Sequence, residues 1–358
     1  MPDLKKKSYD HTLLATLFLI MIIGLVILYS TSAYNGEVKF HDSFYYLKKQ
    51  LFATGLGVVA MFVMAGTDYH FWKKFAIPAY LGAILLSIAV VLFGDEYNGS
   101  KRWLSLGPFS FQPSEYAKVA VILFLAYLVT RNVEKMSSIW TMLRIMLCVL
   151  PVVGLVGASN LSTAIIILGI AAVLIFVASP RYAQFIWMGV LGCGFMTVFL
   201  ALESYRLERI AIWRNPEKYE KGYQTLQGLY AIGSGGLFGR GLGESIQKLG
   251  FVPEAQNDMI FSIICEELGL VGAGFVLILF LILIWRFFVI ATHAEDLFGA
   301  LIGAGAMAHM MIQVILNISV VTNTIPNTGI TLPFISYGGT SVVFLLLEMG
   351  LVLSVSAG

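Results

Sequence analysis

The stretch TLLATLFLIMIIGLVILYSTSA, residues 12–33, carries no charged side chain. A helix needs about 20 apolar residues to cross the hydrocarbon core of a membrane, so this stretch is long enough to span one. It is also too long and too uninterrupted to be a removable signal peptide. The stretch therefore predicts a first transmembrane helix.

The rest of the chain has the same character. Of its 358 residues, 58% are hydrophobic and 12% are charged, whereas a soluble domain carries about 25% charged residues. We therefore expect an all-α integral membrane protein, with residues 1–358 forming a single polytopic membrane domain. Apolar runs separated by polar, glycine or proline breaks predict ten spans, at residues 12–33, 47–66, 76–94, 113–131, 139–157, 160–179, 183–202, 258–291, 297–320 and 337–356.

Ten spans place both termini on one side of the membrane, and the lysines at positions 5–7 favour the cytoplasmic side. The connection between spans 7 and 8, residues 203–257, then becomes a long extracytoplasmic loop. Long loops follow the positive-inside rule only weakly, yet this one is basic. We interpret its charge as a sign of an anionic partner, carried by Arg206, Arg209, Arg214, Lys218, Lys221, Arg240 and Lys248.

Charged residues inside the predicted spans mark candidate functional positions, because each costs about 2.5–3.5 kcal/mol on insertion scales. Six of them are the candidates: Glu115, Lys118, Asp258, Glu266, Glu267 and Glu348. Glu115 and Lys118 are three residues apart in FQPSEYAKVAVILF, so they can neutralise each other on one helix face. The spacing leaves two interpretations open: a structural ion pair, or a lysine that binds phosphate and is oriented by the glutamate.

Asp258 lies where the eighth span is expected to begin. It could cap the helix N-terminus, act as a general base, or do both. Glu266 lies about 80° from it around a helix and could border the same cavity, while Glu267 faces the opposite way and is expected to pair with a neighbouring helix. For Lys248 and for Ser336 in PFISYGG, the open alternatives are a surface or packing role and contact with a polar ligand.

Several kinds of chemistry find no support in the sequence. The five histidines are scattered, and no H-E-x-x-H or G-x-S-x-G motif occurs. The cysteines, Cys148, Cys193 and Cys265, have no C-x-x-C spacing and are interpreted as packing residues. The sequence has no convincing internal repeat of the kind common in secondary transporters, so it does not favour a transporter. The charged residues fit a reaction whose leaving group is already activated. Such a reaction needs only one general base, together with positive charge for the leaving group.

Four separated motifs resemble the SEDS family, to which FtsW, RodA and SpoVE belong, and are slightly closer to FtsW and SpoVE. They are KRWLSLGPFSFQPSEYAKVAVILF from Lys101, GYQTLQGLYAIGSGGLFGRGLG from Gly222, FVPEAQNDMIFSIICEELGLVG from Phe251 and PNTGITLPFISYGGTS from Pro326. The resemblance implies a peptidoglycan glycosyltransferase of the bacterial cytoplasmic membrane that polymerises lipid II. It also implies a class B penicillin-binding protein as partner, membrane lipids around the chain and no nucleic acid.

By resemblance, Asp258 is the catalytic residue, a general base in an inverting transfer. The substrate-binding residues are then Arg102, Trp103, Glu115, Lys118, Lys248 and Ser336. No cofactor is assigned, although a divalent cation could share the pyrophosphate charge. Asn160 stands where relatives have an aspartate, so it is excluded as a base or metal ligand. The alternatives are a lipid II flippase and a membrane scaffold for the penicillin-binding protein.

Overall fold

The computed structural model describes residues 9–97, 100–106, 109–181 and 211–358, together with residues 186, 189, 190, 192 and 194. Most of the predicted seventh span, and Cys193 within it, lie outside these residues. The described helices are α1 His11–Phe40, α2 Tyr45–Gly66, α3 Tyr69–Lys73, α4 Ala76–Phe93, α5 Pro113–Arg131, α6 Ile139–Ser159, α7 Leu161–Ala178, α8 Tyr223–Gly235, α9 Ile260–His293, α10 Leu297–Val321 and α11 Gly339–Ser356.

Nine of these helices are long and apolar enough to cross a membrane, all of them except α3 and α8. Their bounds follow the predicted spans to within two residues, because a run of apolar residues and its polar breaks are local properties of the chain; the exception is the end of α1, which continues seven residues past the predicted span. The helical membrane fold is thereby confirmed. The tenth span, and with it the same-side placement of the termini, stays a prediction.

A small antiparallel sheet lies between α4 and α5, where the all-α prediction had only a loop. Its strands are β1 Asp95–Tyr97, β2 Ser100–Leu106 and β3 Phe109–Phe111, in the order β1-β2-β3. Trp103 of β2 pairs with Asp95, and Leu104 pairs with Phe111. Two of the strands have three residues, too few for an alternating pattern to stand out in the sequence.

The segment after α8 packs against a break in α9 and accepts hydrogen bonds from it. Gly269 has a φ of 66°, which interrupts the helix. The amides of Leu270 and Val271 then donate to the carbonyls of Gly236 and Leu237, both at 3.0 Å. A side chain on Gly239 would collide with the backbone, because its Cβ would lie 2.1 Å from the Glu267 carbonyl oxygen. The glycines after α8 thus allow close packing against α9.

Polar and apolar side chains are distributed as in a protein that is surrounded by lipid. Large apolar side chains on α2, α4 and α9 are exposed, among them Phe52, Leu85, Leu92 and Leu281. The six candidate charged residues are instead buried in the bundle, where α10 contacts α5, α7, α9 and α11. Each of them therefore needs polar partners inside the protein.

The packing of α2 against α11 leads to a stability prediction. A Cβ on Gly350 would lie 2.4 Å from the carbonyl oxygen of Met61, whereas one on Gly154 of α6 would meet no atom within 4 Å. We expect Gly350→Ala to lower the free energy of unfolding by about 1–3 kcal/mol, because the two helices must move apart. The matched control Gly154→Ala should be neutral or slightly stabilising, since alanine favours a helix.

Thermal unfolding of the purified variants in one detergent measures this difference. Equal Tm values for Gly350→Ala and Gly154→Ala would contradict the close approach of α2 and α11.

Candidate functional site

Asp258 lies in the turn that precedes α9 and is buried, with 8% of its surface exposed. The helix begins at Ile260, and its N-cap, Met259, makes no side-chain capping bond. The prediction that Asp258 caps this helix is therefore wrong. The turn is anchored from other elements: the amide of Tyr337 donates to the carbonyl of Gln256 at 2.9 Å.

Two amide side chains surround the Asp258 carboxylate. Gln224 of α8 donates from Nε2 to Oδ1 of Asp258 at 3.3 Å. Asn327 also hydrogen-bonds to the Asp258 carboxylate, and its Nδ2 donates to Oε1 of Gln224 at 3.3 Å. Within the part of the chain that the structure describes, no basic side chain forms an ion pair with Asp258. Neutral donors thus orient this carboxylate without a counter-charge.

Burial raises the pKa of Asp258 to about 6 from its ordinary value of 3.8. The nearby Glu254 acts in the same direction, while the hydrogen bonds from Asn327 and Gln224 oppose it. Desolvation has the largest effect because the charged form loses its hydration and gains no cation. A carboxylate with this pKa can accept a proton near neutral pH and release it again.

Residues 326–332, which we call the 326–332 loop, connect the site to several elements. Ser162 of α7 donates to the carbonyl of Thr328 at 3.0 Å. Gln313 of α10 donates to the carbonyl of Thr331 at 3.1 Å. The loop also carries Asn327, so the position of the loop determines where one of the two partners of Asp258 lies.

Arg102 approaches the same loop from the small sheet. Its Nε donates to the carbonyl of Ser159 at 3.3 Å, and a Cβ on Gly329 would lie 3.7 Å from its Nη1. Trp103 is the next residue of β2 and is half-buried. Asn160 caps α7, because its Oδ1 accepts from the Thr163 amide. The structure therefore brings Arg102 to the loop that also holds Asn327.

Glu115 and Lys118 form the predicted ion pair in the first turns of α5, with Nζ and Oε1 3.0 Å apart and both residues buried. Lys118 also donates to Oε1 of Gln313 at 3.0 Å. The same oxygen lies 2.9 Å from Nε2 of His309, whose Nδ1 is 2.7 Å from Glu348. Because the Gln313 oxygen can only accept, Nε2 of His309 donates to it. The ion pair is thus one end of a buried polar network.

Lys248 is buried, with 6% of its surface exposed. Its Nζ lies 2.7 Å from Oε1 of Glu267 and 2.9 Å from Oγ of Ser30 on α1. The interpretation of Lys248 as a solvated surface residue is therefore wrong. The expected pairing of Glu267 with a neighbouring helix is confirmed through Ser30, which donates to the carboxylate at 2.7 Å.

Glu266 is bonded to the segment that precedes the turn of Asp258. Its carboxylate accepts from Ser245 and from the amides of Ile246 and Gln247. It borders a cavity of about 470 Å³ lined by Leu229, Tyr230, Gly233, Ser234, Arg240, Ile246, Gln247 and Glu266. Asp258 is not among the lining residues, so this cavity does not join the two acids. Asp258 lies in the turn before α9 and not on the helix, so the helical angle of about 80° does not describe its position relative to Glu266.

Ser336 is buried next to the 326–332 loop. Its Oγ accepts from the amide of Leu332 at 2.8 Å, and its carbonyl accepts from Gln50 of α2 at 3.4 Å. These bonds fit the packing interpretation of PFISYGG. Among the described residues, no three His, Cys, Asp or Glu side chains form a group that could hold a metal ion.

The chain is similar to known proteins over nearly its whole length. The sequence profile of the cell cycle proteins FtsW, RodA and SpoVE matches residues 10–358. The chain belongs to this family. It is 41% identical to stage V sporulation protein E of Bacillus subtilis, over 98% of both chains. It is 36% identical to a probable peptidoglycan glycosyltransferase FtsW of Geobacter metallireducens, over 98% of this chain and 95% of the relative.

Solved structures agree with this family assignment. A chain from a peptidoglycan synthase complex, solved to show how polymerization and crosslinking are coordinated, superposes with a TM-score of 0.83 at 30% identity over 98% of both chains. The rod shape determining protein RodA of Thermus thermophilus superposes with a TM-score of 0.72 at 29% identity, over 98% of this chain and 97% of RodA. The SEDS fold therefore extends over almost the whole chain.

Sequence reasoning missed the uncharged members of the site. Gln224, Gln313, Asn317 and Asn327 all bond to the site or to its supporting loop. A signal for two of them was present: His309, Gln313 and Asn317 recur every four residues in an otherwise apolar helix. This spacing places polar side chains on one face of α10. A search for charged residues alone does not find such a pattern.

The buried pair of Lys248 and Glu267 generates a second prediction. Lys248→Met should lower the free energy of unfolding by about 3–5 kcal/mol, because it leaves a buried carboxylate without a counter-charge. Adding Glu267→Gln should recover most of this loss, since no buried charge then remains. Thermal unfolding in detergent measures both variants. The exposed pair of Lys48 and Asp42, 2.8 Å apart, supplies the control Lys48→Met, which should leave the Tm unchanged.

If Lys248→Met unfolds at the same temperature as Lys48→Met, the buried ion pair does not support the fold.

Proposed function

We propose that this chain is a peptidoglycan glycosyltransferase that polymerises lipid II at the outer face of the bacterial cytoplasmic membrane. One observation carries the proposal: Asp258 is a buried acid that pairs with no basic side chain among the described residues and is oriented by two amides. Membership of a family with relatives named as probable peptidoglycan glycosyltransferases supports the choice of reaction. A flippase would not need a base.

The reaction is an inverting glycosyl transfer. The 4-hydroxyl oxygen of one lipid II attacks the anomeric carbon of the other, and a new glycosidic C–O bond forms there. The bond between that carbon and the pyrophosphate oxygen breaks, and the lipid pyrophosphate leaves with the bonding electron pair. Asp258 accepts the hydroxyl proton during attack. Because the leaving group is already activated, the protein needs no acid to protonate it.

Positive charge near the leaving pyrophosphate stabilises the transition state. We propose Arg102 for this role, because its guanidinium lies beside the 326–332 loop. Lys118 and Lys248 are each neutralised by a buried glutamate, at 3.0 Å and 2.7 Å. Direct contact of either lysine with phosphate would require that ion pair to open. The proposed substrate-binding set also includes Trp103 next to Arg102, Glu115 as the partner of Lys118, and Ser336 at the loop.

We further propose a class B penicillin-binding protein as the partner that cross-links the product. A solved structure that resembles this chain belongs to a peptidoglycan synthase complex. Both termini would be cytoplasmic, and residues 203–257 would lie outside, where their basic side chains meet anionic substrate. The prenyl tails of both substrates would stay in the lipid, which accounts for an active site inside a membrane bundle.

The general-base role predicts the effect of one isosteric change. Asp258→Asn should lower the rate of lipid II polymerisation by at least about 100-fold, because general-base catalysis contributes roughly that much or more. The assay uses the full chain purified with its partner, and gel analysis of the glycan product measures the rate. Asp42→Asn is the matched control at an exposed position and should keep the wild-type rate.

Polymer formed by Asp258→Asn at a near-wild-type rate would exclude Asp258 as the base. Movement of lipid II across liposomes by the wild-type chain, without any polymer, would favour the flippase instead. Retained partner binding by an inactive Asp258→Asn would show that assembly and catalysis are separate.

The raised pKa predicts the pH dependence. A general base must be deprotonated, so the rate should be constant well above pH 6 and should fall about tenfold per pH unit below it. Initial rates at lipid II concentrations well below KM report kcat/KM and hence the free protein, and varying the pH between about 5 and 8 measures the midpoint. A rate that stays flat down to pH 5 would contradict burial as the dominant influence on Asp258. Refolding controls at each pH separate titration from loss of structure.

A further inference from the structure

Asn317 is the last member of the polar series on α10 and is completely buried. Its Nδ2 donates two hydrogen bonds, one to the carbonyl of Asp258 at 2.8 Å and one to the carbonyl of Ile330 at 2.7 Å. Both facing atoms are carbonyl oxygens, so only the amino group of the amide can point toward them. The contacts therefore fix the orientation of this side chain.

These two carbonyls belong to the segments that carry the site. One is the backbone of Asp258 itself. The other lies in the 326–332 loop, three residues after Asn327, whose side chain bonds to the Asp258 carboxylate. A single side chain thus joins the turn that holds the carboxylate to the loop that holds one of its partners. Neither segment is helical at these positions, so backbone geometry alone does not set their separation.

The neighbouring turn of α10 strengthens this connection. Gln313 donates to the carbonyl of Thr331, next to the carbonyl that Asn317 holds. The oxygen of Gln313 accepts from Lys118, which is paired with Glu115 on α5. The loop is consequently attached at two adjacent residues to a helix in the centre of the bundle. Side chains on such a helix position a site more accurately than side chains on loops.

We infer that Asn317 is a positioning residue for Asp258: its two hydrogen bonds hold the turn of the carboxylate and the 326–332 loop at a fixed separation. This inference rests on the proposed function. Loss of both bonds allows the turn and the loop to separate, so the carboxylate moves relative to Asn327 and Gln224. Arg102, proposed for the pyrophosphate, is held by the carbonyl of Ser159 and not by the loop, so the chemical step depends on this separation more than substrate binding does.

Kinetics of one variant test the inference. Asn317→Leu keeps a similar volume and removes both donors. In the full chain with its partner, we expect the kcat for lipid II polymerisation to fall about 10- to 100-fold, because a displacement of about 1 Å has effects of this size. The KM for lipid II should stay within about twofold, since uniform binding is unchanged.

Asn132→Leu is the matched control. The Nδ2 of Asn132 also donates to a backbone carbonyl, that of Leu128 at 2.8 Å. Asn132 follows the far end of α5, about 20 Å along the helix from Lys118. The kcat of this control should equal that of the wild type. A rise in KM alone for Asn317→Leu, or a kcat within about twofold of wild type, would overturn the positioning role.

A measurement independent of activity separates this inference from the proposed function. Hydrogen exchange of peptides covering residues 253–262 and 326–336 should become faster in both segments in Asn317→Leu and in neither segment in Asn132→Leu. If the wild-type chain makes no polymer, the proposed function fails, while the exchange result still decides whether Asn317 joins the two segments. Unchanged exchange in Asn317→Leu would overturn the inference. Should this variant not fold, Asn317→Ser, which keeps one donor, should show the same changes at smaller size.

Discussion

A charge enclosed by lipid-facing helices has to find its counter-charge inside the protein, and this constraint organises the bundle. Glu115 pairs with Lys118, and Lys248 pairs with Glu267. Removing one partner of such a pair costs more than the pair itself contributes, because it leaves a desolvated charge. The second pair joins the basic connection to α9, and Ser30 extends it to α1. The positions of these elements therefore depend on one another.

The same requirement applies to backbone groups. The 326–332 loop has no helical hydrogen bonds, yet it is held against the bundle, where irregular backbone is tolerated only if the protein satisfies it. Ser162, Gln313 and Asn317 supply donors to its carbonyls. A segment held from α7 and α10 at once has little freedom to move. It can therefore present Asn327 to Asp258 at a defined position.

Against this background the environment of Asp258 is distinctive. Each of the buried glutamates 115, 267 and 348 lies within 3.0 Å of a basic side chain, while no such partner occurs for Asp258 in the described ranges. It has two amides instead, which orient the carboxylate and leave its charge uncompensated. The structural acids are thus held by basic side chains, and the acid without one has a pKa suited to proton transfer.

Local sequence patterns were enough to predict nine of the membrane spans and the pairing of Glu115 with Lys118, and family resemblance made Asp258 the catalytic candidate. Spans follow from local hydropathy, and residues three apart on a helix are neighbours whatever the rest of the chain does. Only the packing of the chain brings Lys248 to Glu267, Ser245 to Glu266, and Asn317 to the backbone of Asp258. These contacts join residues with no helical spacing between them. Which of them form depends on how the helices and loops pack, because a buried polar group takes the partner that packing brings within reach.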